Sequence, residues 1–470
     1  MTDPTWVSII PPLLAIVLAI WTRQVYLSLA AGVWAGWVIV EGWNPLSGLG
    51  RSVEETVAVL ASPGNANVIL FTLVIGALIA TIEMSGGVRG FVRYLENREW
   101  VTNGRRSQLL AWIIGFVIFI ESNITVLVSG SVARPLFDRF RVSREKLAYI
   151  IDSTSAAVCI LIPLNAWGAY NLGLLENQGV ENALGVFVAS IPLNFYALGA
   201  ILLALATVIW GIDLGPMRKA EERTREGKMH WPDSQPMIDE DILSPPPNDR
   251  IPPRAVNMIL PIVVMVLMMP VGLFITGEGD PRAGSGATSV LWAVLVALGT
   301  SWILLLLQRA ESVDGLTRTA LKGAGGLMPL ALILLLALAL GDVAGELGTG
   351  AWVASLIPEG LTPAILLPVA FAASAGIAFS TGTSWGTFAI MIPIAVPAAM
   401  VLGLPVAPFM AAVLSGGIFG DHSSPISDTT IISSMAAATD HIDHVRTQLP
   451  YALTAGGVAA VAFAITGLLI

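Results

Sequence analysis

Cysteine and charge are the scarce ingredients of this sequence. The single cysteine, Cys159, lies in an apolar run, so no internal disulfide can form, and redox compartment stays open. Charged residues make up 12% of the chain while hydrophobic residues reach 55%, against a globular norm of roughly 25% charged. Positive charge is not in excess either. The 24 Lys and Arg are outnumbered by 33 Asp and Glu, giving a net charge of −9, and no basic patch interleaves with aromatics. That balance argues against a nucleic-acid partner. Met1–Trp6 has Asp3 but no Lys or Arg, and no small-residue cleavage site follows the first apolar run. This run is therefore expected to remain as a helix rather than leave as a signal peptide.

Apolar stretches fill the space that charge leaves. They fall at about 6–22, 24–42, 67–85, 107–136, 148–175, 184–212, 255–276, 288–308, 327–346, 363–403, 406–438 and 448–470. A helix needs about 20 apolar residues to cross a bilayer core, and backbone groups in lipid must be satisfied internally. The chain is expected to be an all-α polytopic, multi-pass membrane protein, with the lipid bilayer as its surroundings.

Positive charge marks the cytoplasmic side. Arg89, Arg93, Arg98, Arg105 and Arg106 precede the run 107–136, and Arg134, Arg139, Arg141, Arg144 and Lys146 follow it. A plain spanning helix cannot begin and end on one side, whereas a re-entrant hairpin can, with its tip at Glu121-Ser122-Asn123-Ile124-Thr125. With that hairpin in place, only Arg51 and Arg282 of the 24 basic residues land outside.

The two halves then share one order: three helices, a re-entrant hairpin, a broken helix and one further helix. Glu83 pairs with Glu346, Asn123 with Thr383 and Pro163 with Pro425, at offsets of 263, 260 and 262. Each half crosses an odd number of times, so the expected domains are two inverted repeats, 1–212 and 255–470, joined by a cytoplasmic linker, 213–254. Pro245-Pro246-Pro247 and mixed charges make that linker read as solvated. Inverted repeats whose broken helices meet at the midplane are the architecture of secondary transporters.

Charge at membrane depth is costly and usually functional. The few acids inside apolar runs are Glu83, Glu121, Asp152, Asp342, Glu346, Asp421 and Asp428; Glu83 and Glu346, near helix ends, read as structural. The densest polar run is Asp421 to Thr430, where Pro425 removes an amide donor and frees carbonyls about a turn earlier. Carboxylate, hydroxyl and carbonyl oxygens are hard ligands suited to an alkali cation; the alternative is that Asp421 or Ser424 caps the following half-helix. Thr381, Gly382, Thr383 and Ser384 at the second tip are expected to face Pro425. Ser122, Asn123 and Thr125 at the first are expected to face Pro163 and Asn165. Ion- or proton-binding candidates are therefore Asp421, Asp428, Asp152, Glu121, Ser424, Ser122, Asn123, Thr125, Thr381, Gly382, Thr383 and Ser384. Within that set, the alkali cation is expected at Asp421, Ser424, Thr381, Thr383 and Asn123. Burial disfavours the charged form of a carboxylate, a property useful to a group that alternates between proton and cation.

Other chemistries fare worse. Asp440-His441-Ile442-Asp443-His444 holds two histidines at zinc-like spacing but reads as a solvated turn. No glycine elbow surrounds the serines of 421–424, which weighs against a hydrolase. A receptor or intramembrane enzyme is the remaining reading from another class, and the chain is not expected to be an enzyme. No cofactor is expected; an alkali cation and protons are the expected transported or coupling ions.

Phe419 to Thr430, Asp440 to Tyr451, Ser380 to Phe388 and Ser143 to Thr154 resemble the NhaC-type sodium/proton antiporter family. The resemblance runs from about residue 67 to the C-terminus and implies an exchanger in which external protons drive sodium out. It also implies an elevator-type carrier, a transport domain moving past a scaffold in a homodimer. One stretch departs from the pattern: Glu121 to Thr125 is more similar to the tips of sodium-coupled dicarboxylate carriers. The family also includes malate/lactate-type exchangers, so a sodium-coupled transporter of a small organic solute is the second reading. Asn165, Trp167 and Tyr170 are the expected lining of a pocket for a neutral or cationic solute.

Overall fold

The computed structural model describes residues 5–22, 24–87, 89–91, 101–117, 119, 122–236, 251–280, 284–356 and 362–470. Among them the secondary structure is helical, with no strand. The first half contains α1 (Ile10–Thr22), α2 (Val25–Val40), α3 (Pro45–Ala58) and α4 (Pro63–Met84), then α5 (Gly104–Val117) and α6 (Ser122–Phe140). After these come α7 (Arg144–Ser153), α8 (Ala156–Cys159), α9 (Ala166–Asn177), α10 (Ala183–Ser190), α11 (Phe195–Trp210) and α12 (Pro216–Arg225). The second half contains α13 (Val256–Thr276), α14 (Gly286–Leu307), α15 (Val313–Gly326), α16 (Met328–Glu346) and α17 (Thr349–Ser355). It closes with α18 (Pro363–Thr381), α19 (Ser384–Val401), α20 (Val406–Ser423), α21 (Asp428–Ala437) and α22 (His441–Leu469).

Seven described helices are long and apolar enough to cross a membrane, or nine if the bent pairs α2/α3 and α10/α11 each count as one span. The chain is therefore a multi-pass membrane protein. Local chemistry sets the helix starts. Asn44 accepts hydrogen bonds from the amides of Leu46 and Ser47 with Pro45 at the first helical position. Asn165, Ser143 and Asp440 cap α9, α7 and α22 in the same way, satisfying amides that have no partner inside the helix.

Small residues let the functional helices approach closely. A Cβ added at Gly416 or Gly420 of α20 would lie 2.2 Å from the carbonyl oxygen of Phe371 or Ala375 on α18. Alanine at either position would force the pair apart. Helices α18 and α19 join at Gly382, whose φ of +69° suits glycine. A Cβ there would lie 2.6 Å from the Ile426 carbonyl oxygen, so the turn is pressed against the break between α20 and α21.

The segment after α11 corrects the expectation of a solvated linker over its described part. Met217, Ala220, Glu221 and Thr224 of α12 are buried. Arg223 donates two hydrogen bonds to the Glu145 carboxylate, at 2.8 and 3.0 Å, and lies over the Trp231 ring. Glu221 accepts from the Ser143 amide and hydroxyl, at 2.9 and 2.6 Å. Lys146 pairs with Asp213 at 2.7 Å. Further along, Ser234 donates to Asp443 and the Gln235 amide to Asp440. The strap thus ties α7 to the first turn of α22. Pro245-Pro246-Pro247 lies outside the described residues.

Candidate functional site

The break between α20 and α21 is built by Pro425, which cannot continue the amide ladder. Asp421, in the last turn of α20, is 2% exposed. Its two carboxylate oxygens accept from the Ser384 hydroxyl at 2.8 Å and the Ser427 hydroxyl at 2.6 Å. Ser427 lies 3.0 Å from the Thr429 hydroxyl. Ser384 comes from the α18–α19 turn and Ser427 from the far side of the break, so one carboxylate holds three chain segments together. No cation side chain is paired with it among the described residues.

The other second-tip candidates are occupied differently. Ser424 donates to the Phe379 carbonyl at 2.7 Å and Thr381 to the Ile377 carbonyl at 2.9 Å. The Thr383 carbonyl accepts from the Thr387 hydroxyl. In this conformation the expected sodium set is therefore not gathered at Asp421: Ser384 and Ser427 stand there instead of Ser424, Thr381 and Thr383. Asp428, the first residue of α21, is exposed, and its carboxylate accepts from the Thr429 amide.

At the first break, Asn165 uses its side chain fully. Its oxygen accepts from the Gly168 amide, and its nitrogen donates to the carbonyls of Phe119 and Cys159, at 2.9 and 2.8 Å. Phe119 belongs to the α5–α6 connection, so this tip meets its break through backbone. Ser122 and Thr125 are buried at the start of α6. Glu121 lies outside the described residues, as does the side chain of Asn123. Trp167 and Tyr170 are buried rather than lining an open pocket: Trp167 packs 4.3 Å from Trp385 between ring centroids, and Tyr170 donates to the Trp385 carbonyl at 2.9 Å.

Asp152, at the C-terminal end of α7, faces the second break. Asp152 and Asp421 line one narrow gap with Ala156, Ala157, Ile418, His422 and Thr429, too tight for a water molecule. Asp152 accepts from Gln448 Nε2 at 2.7 Å, and the same nitrogen donates to the His422 carbonyl at 2.7 Å. His422 Nε2 lies 3.6 Å from Asp152, and its Nδ1 lies 2.6 Å from the Tyr196 hydroxyl. Thr430 and Ser433 stand close enough to interact with Asp152, yet their buried hydroxyls make no hydrogen bond of their own. The site is thus a pair of buried carboxylates surrounded by hydroxyls, an amide and an imidazole.

Ser427, His422, Gln448, His444 and Tyr196 are the residues that the sequence reading missed. Ser427 was within reach, since it lies just past the proline break. Gln448 carries no local signal, and His444, taken for part of a solvated turn, is fully buried. Among the described residues no group of three His, Cys, Asp or Glu side chains could hold a metal ion.

The profile of the Na+/H+ antiporter family matches residues 158–468, a span that includes Asp421, Ser427 and Gln448 and begins just after Asp152. An uncharacterized protein of Haemophilus influenzae is 35% identical over 98% of this chain and 90% of its own length. The malate-2H(+)/Na(+)-lactate antiporter of Bacillus subtilis is 30% identical over 37% of this chain and 38% of its own. In fold, the chain is similar to the YdaH transporter of Alcanivorax borkumensis, with a TM-score of 0.60 over 96% of this chain and 98% of that one, at 13% identity. The chain belongs to the Na+/H+ antiporter family.

Proposed function

We propose that this antiporter exchanges sodium for protons, with Asp421 as the group that carries either one. The supporting observation is the setting of Asp421: wholly buried, without a cationic partner among the described residues, and held only by the hydroxyls of Ser384 and Ser427. An ionised carboxylate in such a place needs a compensating charge, and a bound cation or a proton supplies it. The hydroxyls keep their oxygens free to coordinate an alkali cation once their protons turn away, and Thr429 adds a third. Asp152, across the gap, receives the displaced proton. Competition between cation and proton for one carboxylate gives exchange without a separate gate.

The two halves serve as inverted repeats, with the α18–α19 and α5–α6 pairs as the hairpins of an elevator-type carrier that works as a homodimer in the cytoplasmic membrane. Ser424, donating to Phe379 of α18, and Gly382, pressed against Ile426, bind the second hairpin to the broken helix so that they move as one body. Exchange of a small organic acid together with sodium is the second reading, favoured by the B. subtilis relative's malate and lactate.

The test uses full-length protein in proteoliposomes with an imposed pH gradient, following lumenal pH as sodium, potassium, lithium or choline is added outside. Proton movement triggered by sodium and abolished in Asp421→Asn is the expected result. A wild-type protein that moves no protons in response to any cation contradicts the reading. Sodium-dependent uptake of malate or lactate would then support the second.

A further inference from the structure

A line of polar side chains runs from the docked strap to Asp152. His441, in the first turn of α22, places Nε2 2.7 Å from the Pro425 carbonyl and Nδ1 3.0 Å from the Ser434 hydroxyl. Ser434 lies 2.9 Å from His444 Nδ1, and His444 Nε2 lies 2.8 Å from Gln448 Oε1. Gln448 Nε2 then donates to Asp152 at 2.7 Å. His444, Gln448, Ser434 and Asp152 are all at least nine-tenths buried, while His441 is partly exposed. The line therefore begins at the protein's surface and ends at the gap shared with Asp421.

Donor and acceptor bookkeeping assigns the protons. Gln448 Nε2 faces two acceptors, Asp152 and the His422 carbonyl, so its Oε1 faces His444 and accepts. His444 Nε2 then carries hydrogen and its Nδ1 a lone pair. The Pro425 carbonyl only accepts, so His441 Nε2 also carries hydrogen, leaving a lone pair on Nδ1 of the neutral ring. Two lone pairs and the Thr430 carbonyl, 2.8 Å away, now converge on Ser434, which has one proton to give. The mismatch narrows when His441 takes up a proton, and the line is completed when the Ser434 hydroxyl turns from the Thr430 carbonyl to His444. His441 then donates to Ser434, Ser434 to His444, His444 to Gln448 and Gln448 to Asp152, every bond pointing inward.

We infer that His441, Ser434 and His444 form the route by which protons from bulk water reach and leave Asp152, with Gln448 as a positioning residue. A proton on His441 Nδ1 passes to Ser434 Oγ as Ser434 gives its own to His444 Nδ1. His444 then releases its Nε2 proton to Asp152, whose Oδ2 lies 3.8 Å away, once the Gln448 amide swings aside. No bond is left unbalanced: one proton enters at His441, one arrives at Asp152, and His444 returns neutral in its other tautomer. The charged and titratable groups around the route are Asp440 and Asp443 in the first turn of α22 and Arg144 of α7, which donates to the Ala438 carbonyl. Asp428 of α21 and His422 and Asp421 of α20 stand around its inner end. Gln235 and Ser234 of the strap hold Asp440 and Asp443, so the strap sits at the mouth.

This route deepens the sodium/proton reading and rests on it for its purpose, but its test needs no sodium. Infrared difference spectra of the full-length protein after a pH jump follow the carboxyl band that Asp152→Asn removes. In His441→Gly, Ser434→Ala and His444→Gln the band is expected to appear at least about tenfold more slowly, with its final amplitude little changed. Free imidazole is expected to restore the rate in His441→Gly, which a merely structural role would not allow. Unchanged rates in all three variants, or slowing in His441→Gly that imidazole leaves untouched, would overturn the route. Failure of sodium to move protons in wild type, with the pH-jump rates still slowed, would instead sink the exchange reading alone.

Discussion

The two helix breaks use the same kinds of residue in opposite ways. At the first, Asn165 caps α9 and binds the Phe119 and Cys159 carbonyls, so tip and break are joined through backbone. At the second, Asp421 is held by the hydroxyls of Ser384 and Ser427. Hydroxyls are donors to a carboxylate and ligands to a cation by turns, which a carbonyl-bound amide is not. On the exchange proposed above, that difference would separate an anchor from an exchange site. A proline break in a membrane helix is thus only an opening, and the side chains around it decide its use.

Four outcomes would sharpen or break that division. The largest effect is expected from the anchor's foundation. Arg223→Ala leaves Glu145 of α7 buried without its bidentate partner, and stability in detergent is expected to fall by about 3–5 kcal/mol. Sodium affinity of the protein that stays folded is expected to hold, as read by thermal unfolding and binding on the same sample; loss of affinity with intact stability would tie the strap to the exchange site instead. Next, Ser427→Ala removes a hydrogen bond to a buried carboxylate, expected to cost about 1.5–3 kcal/mol, roughly tenfold or more in sodium affinity. Ser424→Ala, whose hydroxyl serves the Phe379 carbonyl, is expected to lower melting temperature more than affinity. The reverse pattern would restore Ser424 as the ligand.

Asn165→Ala should cost about 1–2 kcal/mol of stability through the lost cap, with sodium affinity kept. A collapse of affinity there would erase the contrast between the breaks. The smallest effect concerns the strap. Burial first, and then the Arg144 guanidinium, hold His230 below the usual imidazole range; Arg144 Nη1 lies 3.4 Å from its Nε2. Because the folded state binds this proton less readily than the unfolded chain, docking is favoured above the ordinary value of 6.5 and weakens as pH falls below it. Proteolysis of the strap is expected to quicken in that acidic window, and His230→Gln should flatten the response. Cleavage that quickens as pH rises would contradict the assignment.

How far the sequence reveals this depends on how local each feature is. The long apolar runs, the proline breaks at 163 and 425 and the polar stretch from Asp421 are patterns within a few residues, and the helices and the candidate carboxylates were legible from them. The partners of those carboxylates were not. Ser427 and Ser424 look alike in sequence, and only the fold decides that one faces Asp421 and the other a carbonyl. Gln448 and Asp152 meet across 296 positions, so neither announces the other. Arg223 lies in the stretch expected to be solvated, yet it pairs with buried Glu145, and nothing local distinguishes a buried pair from an exposed one. Asn165 was misread because a capping side chain and a ligand-binding one differ only in what they touch.

The central claim, that cation and proton compete for Asp421, is tested most directly by following protons as sodium binds. Purified protein in weak buffer with a pH dye is titrated with sodium at matched ionic strength, using choline as the control. Proton release that saturates with sodium, is absent with choline and disappears in Asp421→Asn is the predicted result. Sodium binding that releases no protons, or release that persists undiminished in Asp421→Asn, would contradict it.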